Sequence, residues 1–341
     1  MRSVATIAAV LLLGISASAQ WVKQNVDTTA GLRGLSVVNE KIAWASGTGG
    51  TVLRTIDGGR TWKVMIVPGA EKLDFRDIEA FDQFSALVLS IGNGESSRIY
   101  KTIDSGKTWT EQFRNKNEKA FFDALSCRSI DDCLALSDPV DDKFVLIGPT
   151  RPTLMKGQRM RPSASFEDYD GPSSGRDEAA FAASGTCLIT QGSYKTLIVS
   201  GGKRARVFYR VADGAWNIVD TGFIKGTSGS GIFSIAMFDL RNGVIVGGNY
   251  EKPAEAKDNL AFTTDGGETW KLGKGLTGYR SGVTYVDRKT IIAVGTNGSD
   301  MTRNGGKTWK VLGKEDLNAV QAKGKNAVWA VGPKGLVVKL K

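Results

Sequence analysis

A short phrase that recurs along the chain limits the fold more than any other feature of the sequence. Its first copy reads Thr55-Ile-Asp57-Gly-Gly-Arg-Thr61-Trp62. The other copies keep the same turn-forming centre, which falls at Asp104, Asp213, Asp265 and Asn304. Self-similarity at a period of roughly 40 to 50 residues is typical of β-propellers and solenoids. Because a motif present in every unit usually belongs to the scaffold, the repeat predicts architecture before it predicts function.

Each copy has the features of a tight turn within a β-hairpin. Apolar residues alternate on both sides of the first copy, with Leu53 before it and Val64 after it. Glycine tolerates positive φ, and an aspartate oxygen accepts hydrogen bonds from turn amides. The phrase resembles the Asp box of the bacterial neuraminidase repeats. We therefore predict a structural role, not a catalytic one, for Asp57, Asp104, Asp213, Asp265 and Asn304.

Short strand patterns separated by turn signals predict an all-β fold of seven units. Most inner-strand candidates are followed by a second apolar strand that ends in small residues, as in Ala43-Trp-Ala-Ser-Gly47. The inner-strand candidates are residues 32–37, 75–80, 122–126, 180–183, 231–235, 282–285 and 317–320. Together with the Asp-box hairpins, this pattern predicts a seven-bladed β-propeller.

The last unit of the repeat is one strand short. Residues 326–339 match residues 41–54, but the chain stops where an Asp box and a fourth strand would follow. Residues 20–24, Gln-Trp-Val-Lys-Gln, resemble the strand that follows an Asp box elsewhere in the chain. We predict that this N-terminal strand completes blade seven, since the pairing of the two chain ends removes an exposed sheet edge.

Residues 1–19 have the features of a signal peptide, with Arg2, a short apolar run and a small-residue cleavage site before Gln20. We expect an exported chain, periplasmic or secreted, in which residues 20–341 form a single propeller domain. No other apolar stretch reaches the ~20 residues that a transmembrane helix needs. Without Arg2 the net charge falls from +10 to about +9, which favours acidic partners.

The chain contains three cysteines and no histidine. Cys127 and Cys133 face each other across one predicted hairpin, which in an exported chain predicts a disulfide. Cys187 is then expected to be a buried free thiol. The absence of histidine excludes Ser-His-Asp and Cys-His catalysis and argues against a zinc site. No Gly-x-Gly-x-x-Gly phrase opens a helix after a strand, so we expect no metal and no nucleotide or other cofactor.

Three passages depart from the repeat, and function is expected where a chain departs from its scaffold. They are residues 138–165, residues 171–206, and the pair of segments 247–253 and 278–282. Most of their residues fall in loops that are expected to open around one end of the channel as a charged funnel. The candidate ligand-binding residues are Arg76, Asp138, Glu178, Arg204, Tyr250, Tyr279 and Arg280. Glu178 and Arg280 stand out because each lies next to a predicted innermost strand.

Two phrases in these passages add to the resemblance given by the Asp boxes. Residues 178–186, Glu-Ala-Ala-Phe-Ala-Ala-Ser-Gly-Thr, and residues 278–282, Gly-Tyr-Arg-Ser-Gly, look like those of the propellers grouped with the photosystem II assembly and stability factors. The resemblance covers the whole of residues 20–341. It implies a seven-bladed propeller and, for photosynthetic members, a role in assembly through binding to membrane-protein subunits.

Two functional interpretations follow from these features. In the first, a monomeric propeller binds a protein or an acidic ligand, not nucleic acid, and catalyses no reaction. In the second, the chain resembles a sialidase or another glycoside hydrolase, with Arg76, Arg204 and Arg280 holding a carboxylate. Tyr250 or Tyr279 would then pair with Glu178 as the nucleophile, and Asp77 or Asp123 would be the acid. We favour binding because residues 32–35, Leu-Arg-Gly-Leu, replace the Arg-Ile-Pro phrase that sialidases carry in their first blade.

Overall fold

The computed structural model describes residues 20–149, 166–192 and 195–341. These residues form seven antiparallel sheets, each containing a four-stranded blade, and the inner strands of successive blades contact one another in a closed ring. The prediction of an all-β, seven-bladed propeller is confirmed. The predicted signal peptide and the basic residues Arg151, Lys156, Arg159 and Arg161 lie outside the described residues.

The first four blades follow the chain from their inner to their outer strands. Blade one comprises Leu32–Val37, Ala43–Gly47, Thr51–Thr55 and Lys63–Ile66. Blade two comprises Phe75–Ala80, Ala86–Ser90, Arg98–Thr102 and Thr110–Arg114, with a short 3-10 helix at Gly94–Ser96. Blade three comprises Phe122–Ser129, Asp132–Val140, Lys143–Pro149 and Phe166–Tyr169. Blade four comprises Leu188–Gln191, Lys195–Val199, Arg206–Val211 and Asn217–Asp220.

The last three blades complete the ring. Blade five comprises Ser230–Met237, Gly243–Asn249, Leu260–Thr263 and Lys271–Leu272, and two short strands, Glu178–Ala179 and Gly201–Gly202, extend its inner edge. Blade six comprises Gly282–Tyr285, Ile291–Gly295, Gly298–Thr302 and Lys310–Gly313. Blade seven comprises Ala319–Ala322, Val328–Val331, Val337–Leu340 and, from the N-terminus, Trp21–Lys23.

The N-terminal strand closes the ring as the sequence predicts. Trp21–Lys23 pairs antiparallel with Val337–Leu340, with Trp21 opposite Leu340. The Trp21 indole also donates a hydrogen bond of 2.9 Å to the Ser299 hydroxyl in blade six. The first strand of the chain therefore joins blade seven and contacts the blade before it.

The core lies between neighbouring blades, because each sheet is covered on both faces. Leu53 and Ile292 are fully buried in this way. Burial of such a side chain stabilises the fold by about 1.5–3 kcal/mol. Trp329 of blade seven meets Trp62 of blade one edge to face, with ring centroids 5.4 Å apart. This contact carries the apolar core across the point where the ring closes.

Except in blade five, where Gly201–Gly202 pairs with the inner strand, the inner edge of each inner strand faces the channel and has no neighbouring strand, so its N–H groups need other acceptors. Side chains of the preceding blade supply several of them. The acceptor and donor residues are Ser36 with Ala80, Asp77 with Leu125, Ser126 with Thr190, Ser234 with Val283, and Gln321 with Val37. These bonds link successive blades around the channel.

The Asp boxes are closed by side-chain hydrogen bonds. At the first box, the Thr61 N–H and hydroxyl donate to the Asp57 carboxylate at 3.0 and 2.6 Å. The Gly59 N–H donates to the Thr55 hydroxyl at 2.9 Å, which fixes the turn at its other side. The boxes centred on Asp104 and Asp265 repeat this arrangement. At Asn304 the side-chain oxygen accepts the Thr308 N–H, and the side-chain nitrogen donates to the Thr308 hydroxyl. Because an amide replaces a carboxylate there, this turn forms without a charge.

The phrase around Asp213 forms a shorter turn than the other boxes. The Gly214 N–H donates to the Val211 carbonyl at 3.1 Å, and Ala212 has a φ of +50°. Ala215 and Trp216 follow at once, so the threonine that closes the other boxes is missing. This copy keeps the hairpin but has lost the rest of the motif.

The predicted inner strand of blade four is wrong. Residues 180–183 belong to no strand, and the inner strand of this blade is Leu188–Gln191. Residues 180–183 are apolar, as the residues of a buried strand would be, but this segment lies in the channel and does not pair within a sheet. The inner strand of blade seven begins at Ala319, two residues after its predicted start at residue 317.

The disulfide prediction is confirmed. Cys127 and Cys133 are joined and lie opposite each other in the first hairpin of blade three. Cys187 is a buried free cysteine. In the part of the chain that the structure describes, no helix is long and apolar enough to cross a membrane.

Deletion of residues 20–26 should destabilise the propeller, because it exposes the edge of Val337–Leu340. We expect a lower melting temperature in circular dichroism and aggregation in size-exclusion chromatography. The control is Lys23→Ala, which removes an exposed side chain and keeps the backbone pairing. A deletion that melts like the intact chain would contradict the closure.

The contribution of the Asp57 box to the stability of the fold should decrease in acid, where the Asp57 carboxylate takes up a proton. Hydrogen bonds from Thr61 lower the pKa of Asp57 from 3.8 to about 2. Its ionised form therefore stabilises the fold fully above about pH 4, and this effect is lost as the pH falls towards 2. By urea unfolding at pH 7, we expect Asp57→Ala to lose about 0.5–2 kcal/mol and Asp57→Asn to lose less, with a weaker acid dependence. Equal losses in both variants would contradict this account.

Candidate ligand-binding site at the channel mouth

Residues 181–186, called the plug below, occupy the channel between blade four and the blades opposite it. Arg33 of blade one and Arg76 of blade two donate to the Ala183 and Ala182 carbonyls at 3.3 and 3.2 Å. On the other side, the Ser184 hydroxyl donates to the Ser281 carbonyl of blade six at 2.7 Å. The plug is therefore held by several blades at once.

A cavity of about 320 Å³ lies against the plug at one mouth of the channel. Its floor is formed by Phe181, Ala182 and Ala183 of the plug. The remaining lining residues come from five other blades and are Arg33, Arg76, Phe233, Tyr250, Tyr279, Ser281, Thr296 and Asn318. Four of the seven predicted ligand-binding residues lie elsewhere, and only Arg76, Tyr250 and Tyr279 face this cavity.

β-Bulges direct three of the lining side chains into the cavity. The pairing of the first two strands is shifted at Arg33 in blade one, at Arg76 in blade two and at Phe233 in blade five. A bulge leaves one residue unpaired and re-aims its side chain, and bulges are common beside functional sites. The same shift occurs at Asp123 in blade three, whose side chain is fully buried.

Of the two arginines that face the cavity, Arg76 alone is ion-paired within the described part of the chain. It lies 2.8 Å from the carboxylate of Asp74. Burial lowers the pKa of Arg33, and the neighbouring positive charge of Arg76 lowers it further, whereas the charges of Asp74 and Asp316 raise it. The cavity is therefore lined by one ion-paired and one unpaired guanidinium group.

Aromatic rings form the opposite wall of the cavity. Phe181 of the plug stacks on Phe233, with centroids 3.8 Å apart and planes 3° apart. Tyr279 and Tyr250 meet Phe233 edge to face, at 4.8 and 6.2 Å. Tyr279 is buried, and this burial raises the pKa of its hydroxyl above the ordinary value, whereas Tyr250 is 48% exposed. The wall therefore runs from the buried floor to solvent.

Arg280 has a structural role and does not reach the cavity. It is fully buried, and its Nε and Nη2 groups donate to the carboxylate of Asp300, which is also fully buried. Its Nη1 group donates to the Tyr279 carbonyl and the Asn297 side chain, at 2.6 and 2.7 Å. All of its nitrogens are engaged within the protein, so none faces a ligand.

Glu178 and Arg204 also lie away from the cavity. The Glu178 carboxylate is buried, where it pairs with Arg206 and accepts bonds of 2.6 Å from the Ser200 hydroxyl and the Gly175 N–H. Arg204 is exposed on the surface. Glu178 and Arg280 therefore do not converge on the channel mouth as the sequence suggested.

The remaining acidic candidates lie behind the plug. The Asp77 carboxylate accepts the N–H groups of Ile78 and Leu125 at 2.8 and 2.6 Å. Burial and the nearby Glu79 raise the pKa of Asp77 well above its ordinary value. Asp138 accepts the Ala180 N–H at 2.8 Å, beside the buried Asp123. The structure therefore places the acids of the hydrolase interpretation apart from the tyrosines that face the cavity.

Arg33 and Phe233 are the site residues that the sequence analysis missed. In the sequence, Leu32-Arg33, Phe75-Arg76 and Phe122-Asp123 occupy the same place at the start of successive inner strands. Alignment of the inner strands by this position would have placed Arg33 beside Arg76. What the sequence does not mark is the bulge that points these side chains into the channel.

Comparison with known proteins identifies the repeat and the fold. The BNR/Asp-box repeat family matches residues 261–272, which include the Asp265 turn. None of the curated proteins compared with the chain matches it. Among solved structures, YCF48 from Cyanidioschyzon merolae is 15% identical, with a TM-score of 0.66 over 94% of this chain and 98% of that chain. The structure of U3-55K is 10% identical, with a TM-score of 0.63 over 95% and 98% of the two chains.

A structure described as YCF48 bound to D1 peptide is 14% identical over 93% of this chain and 94% of that chain, with a TM-score of 0.47. This looser overlap supports no inference. At such identities the two closer overlaps show a shared propeller fold alone. To that extent the resemblance to the photosystem II assembly factors is confirmed: the chain is an Asp-box propeller similar to YCF48.

The buried Arg280–Asp300 pair should affect stability and not ligand binding. Arg280→Met leaves the Asp300 carboxylate buried without its partner, so we expect it to lower the free energy of unfolding by about 3–5 kcal/mol. The double variant Arg280→Met/Asp300→Leu should recover much of this loss in denaturant unfolding, since it leaves no buried charge. An Arg280→Met chain of unchanged stability would contradict the structural role.

Proposed function

We propose that this Asp-box propeller is a binding protein that holds an acidic stretch of a polypeptide at the mouth of its channel. The observation that carries this proposal is the Arg33–Arg76 pair, which faces a cavity and in which Arg76 alone is ion-paired, with Asp74; the charge of Asp316 acts on Arg33 without an ion pair among the described residues. A half-buried arginine that forms no ion pair is unfavourable, and an incoming carboxylate relieves it. The net charge of the chain, +10, favours the approach of such a ligand.

The arginines have donors to spare for this role. In the described part of the chain, Arg33 donates one hydrogen bond, from Nη1 to the Ala183 carbonyl. A guanidinium has five N–H groups in a planar fork that fits a carboxylate. The plug carbonyls hold the two guanidinium groups in place, and the remaining N–H groups are free to bind the ligand.

The aromatic wall indicates which kind of residue stands next to the acidic residue in the ligand. Phe233 and Tyr279 are buried, and Tyr250 extends the same wall to solvent. A cavity of about 320 Å³ suits one or two side chains and not a folded segment. We therefore infer a ligand in which an acidic residue stands next to an aromatic or apolar one.

The positions of the candidate acids support binding without catalysis. The acids proposed for glycoside cleavage, Asp77, Asp123 and Glu178, do not line the cavity, so no carboxyl pair flanks a ligand there. We propose that the propeller acts as a monomer and needs no cofactor. The predicted signal peptide would place this function in the periplasm or outside the cell.

Binding of a capped peptide, acetyl-Asp-Phe-Asp-Phe-Asp-amide, tests the proposal by fluorescence anisotropy. We expect Arg33→Gln and Arg76→Gln each to weaken binding by tenfold or more, since a charge-assisted hydrogen bond contributes about 1.5–3 kcal/mol. The same peptide with Asn in place of Asp should bind much more weakly. Added salt should reduce the difference between the two peptides.

Arg204→Gln is the matched control, because it removes the same charge from the surface outside the cavity. It should bind the acidic peptide like the unmodified chain. Equal binding of the Asp and Asn peptides, or an equal loss in Arg204→Gln and Arg33→Gln, would show that the cavity is not the binding site.

A further inference from the structure

A pair of carboxyl groups lies directly behind the arginine pair and has no part in the binding described above. Asp123 is fully buried at the bulge of blade three, and Asp138 stands beside it on the second strand of the same blade. The Asp123 Oδ2 atom has no hydrogen-bond partner among the described residues. A buried carboxylate oxygen without a donor is unfavourable, which favours a proton on this pair.

The plug connects the carboxyl pair to the arginines through its backbone. The Ala180 N–H donates to Asp138, and two residues later the Ala182 carbonyl accepts from Arg76. The positive charge of Arg76 also acts directly on Asp123. A change of charge on the pair therefore acts on Arg76, which lines the anion site.

Other titratable groups lie around the pair. Cys187, from the start of blade four, is buried, and burial raises the pKa of its thiol well above the ordinary value. Asp77 and Glu79 form a second buried acidic pair on the blade-two side, where burial raises both pKa values, that of Glu79 to about 7, so the variants described below are needed to assign the proton. Asp74 is already paired with Arg76.

We propose that binding of an anion at Arg33 and Arg76 is coupled to the uptake of one proton by the Asp123–Asp138 pair. The proposal rests on the anion site proposed above. An ionised pair partly neutralises Arg76 from behind and repels the ligand carboxylate. A proton on the pair removes that charge, so the protonated form binds the anion more tightly, and by linkage the bound anion favours protonation.

The direction of the pH dependence follows from the carboxyl groups. Burial raises the pKa of Asp138 from 3.8 to about 6, and burial followed by the charge of Asp138 raises that of Asp123 well above its ordinary value. Asp138 therefore loses its proton near pH 6, and Asp123 keeps its proton to a higher pH than an ordinary aspartate does. Affinity for the anion should be greatest below about pH 6 and should fall as the pH rises through the titration of the bound form.

Isothermal titration calorimetry of the capped Asp-Phe peptide tests the coupling. Titrations at pH 7 in Bis-Tris and in Tris, which carry no anionic group and differ in ionisation enthalpy, give the number of protons taken up on binding. We expect uptake of between half and one proton, and an affinity that falls at least threefold, and at most tenfold per pH unit, between pH 6 and 8. The peptide carboxyls, with pKa values near 3.9, stay ionised over this range.

Two isosteric variants locate the proton. Asp138→Asn should abolish the uptake and flatten the pH profile, while it keeps the affinity measured for the unmodified chain at pH 6. Asp123→Asn removes the other carboxyl group and should keep the uptake, because burial still raises the pKa of Asp138. The control, Asp104→Asn, makes the same change in an Asp box, where Asn304 shows that an amide keeps the turn, and should leave the uptake unchanged. The titrations of the unmodified chain in the two buffers measure the proton uptake even if a variant fails to fold.

The outcomes separate the two proposals. Binding without proton uptake, or uptake that persists in both Asp→Asn variants, would overturn the coupling and leave the anion site intact. No binding of the acidic peptide at any pH from 6 to 8 would overturn the anion site and the coupling with it. The coupling is supported if the unmodified chain and Asp104→Asn take up a proton on binding and Asp138→Asn does not.

Discussion

The inner edges of the blades are the constraint on which the rest of this structure depends. Seven inner strands meet around one channel, and in every blade but the fifth their backbone N–H groups have no further strand to pair with. Side chains such as Ser36, Ser126 and Ser234 accept those groups from the next blade. Where short side chains are not enough, the plug adds its own backbone, as when the Thr186 carbonyl accepts the Ile235 N–H. The polar lining of the channel thus follows first from hydrogen bonding.

The candidate site develops from the same constraint. The plug residues Ala182 and Ala183 lie in the channel outside any strand, so their carbonyls need donors of their own. Arg33 and Arg76 meet that need, and the bulges at these positions turn the guanidinium groups away from the sheet. The two arginines therefore hold the plug in place and also line the proposed ligand site. The buried carboxyl groups behind the plug offset part of their positive charge.

The sequence predicted those features that are encoded locally. The Asp boxes, the disulfide hairpin and the closing strand each appear as short phrases with known geometry, and the structure has them where they were expected. The prediction of a strand at residues 180–183 was wrong because an apolar sequence does not reveal whether it pairs in a sheet or fills a channel. The prediction that Arg280 binds a ligand failed for another reason. Its partner Asp300 lies on the next hairpin, and spacing alone does not reveal a buried ion pair. Arg33 was missed because a bulge depends on the pairing of two strands, which no single segment shows.

The pairing of Trp21 with Leu340 also determines how this chain reaches its fold. In a linear repeat array, folding nucleates in one unit and spreads to its neighbours. Here the seventh blade needs both ends of the chain, and closing a loop of this length opposes the step by about 5 kcal/mol of chain entropy. Pairings so distant in sequence are typical of slow-folding β proteins. Ring closure is therefore expected to be the late, rate-determining event, after most blades have formed their local hairpins.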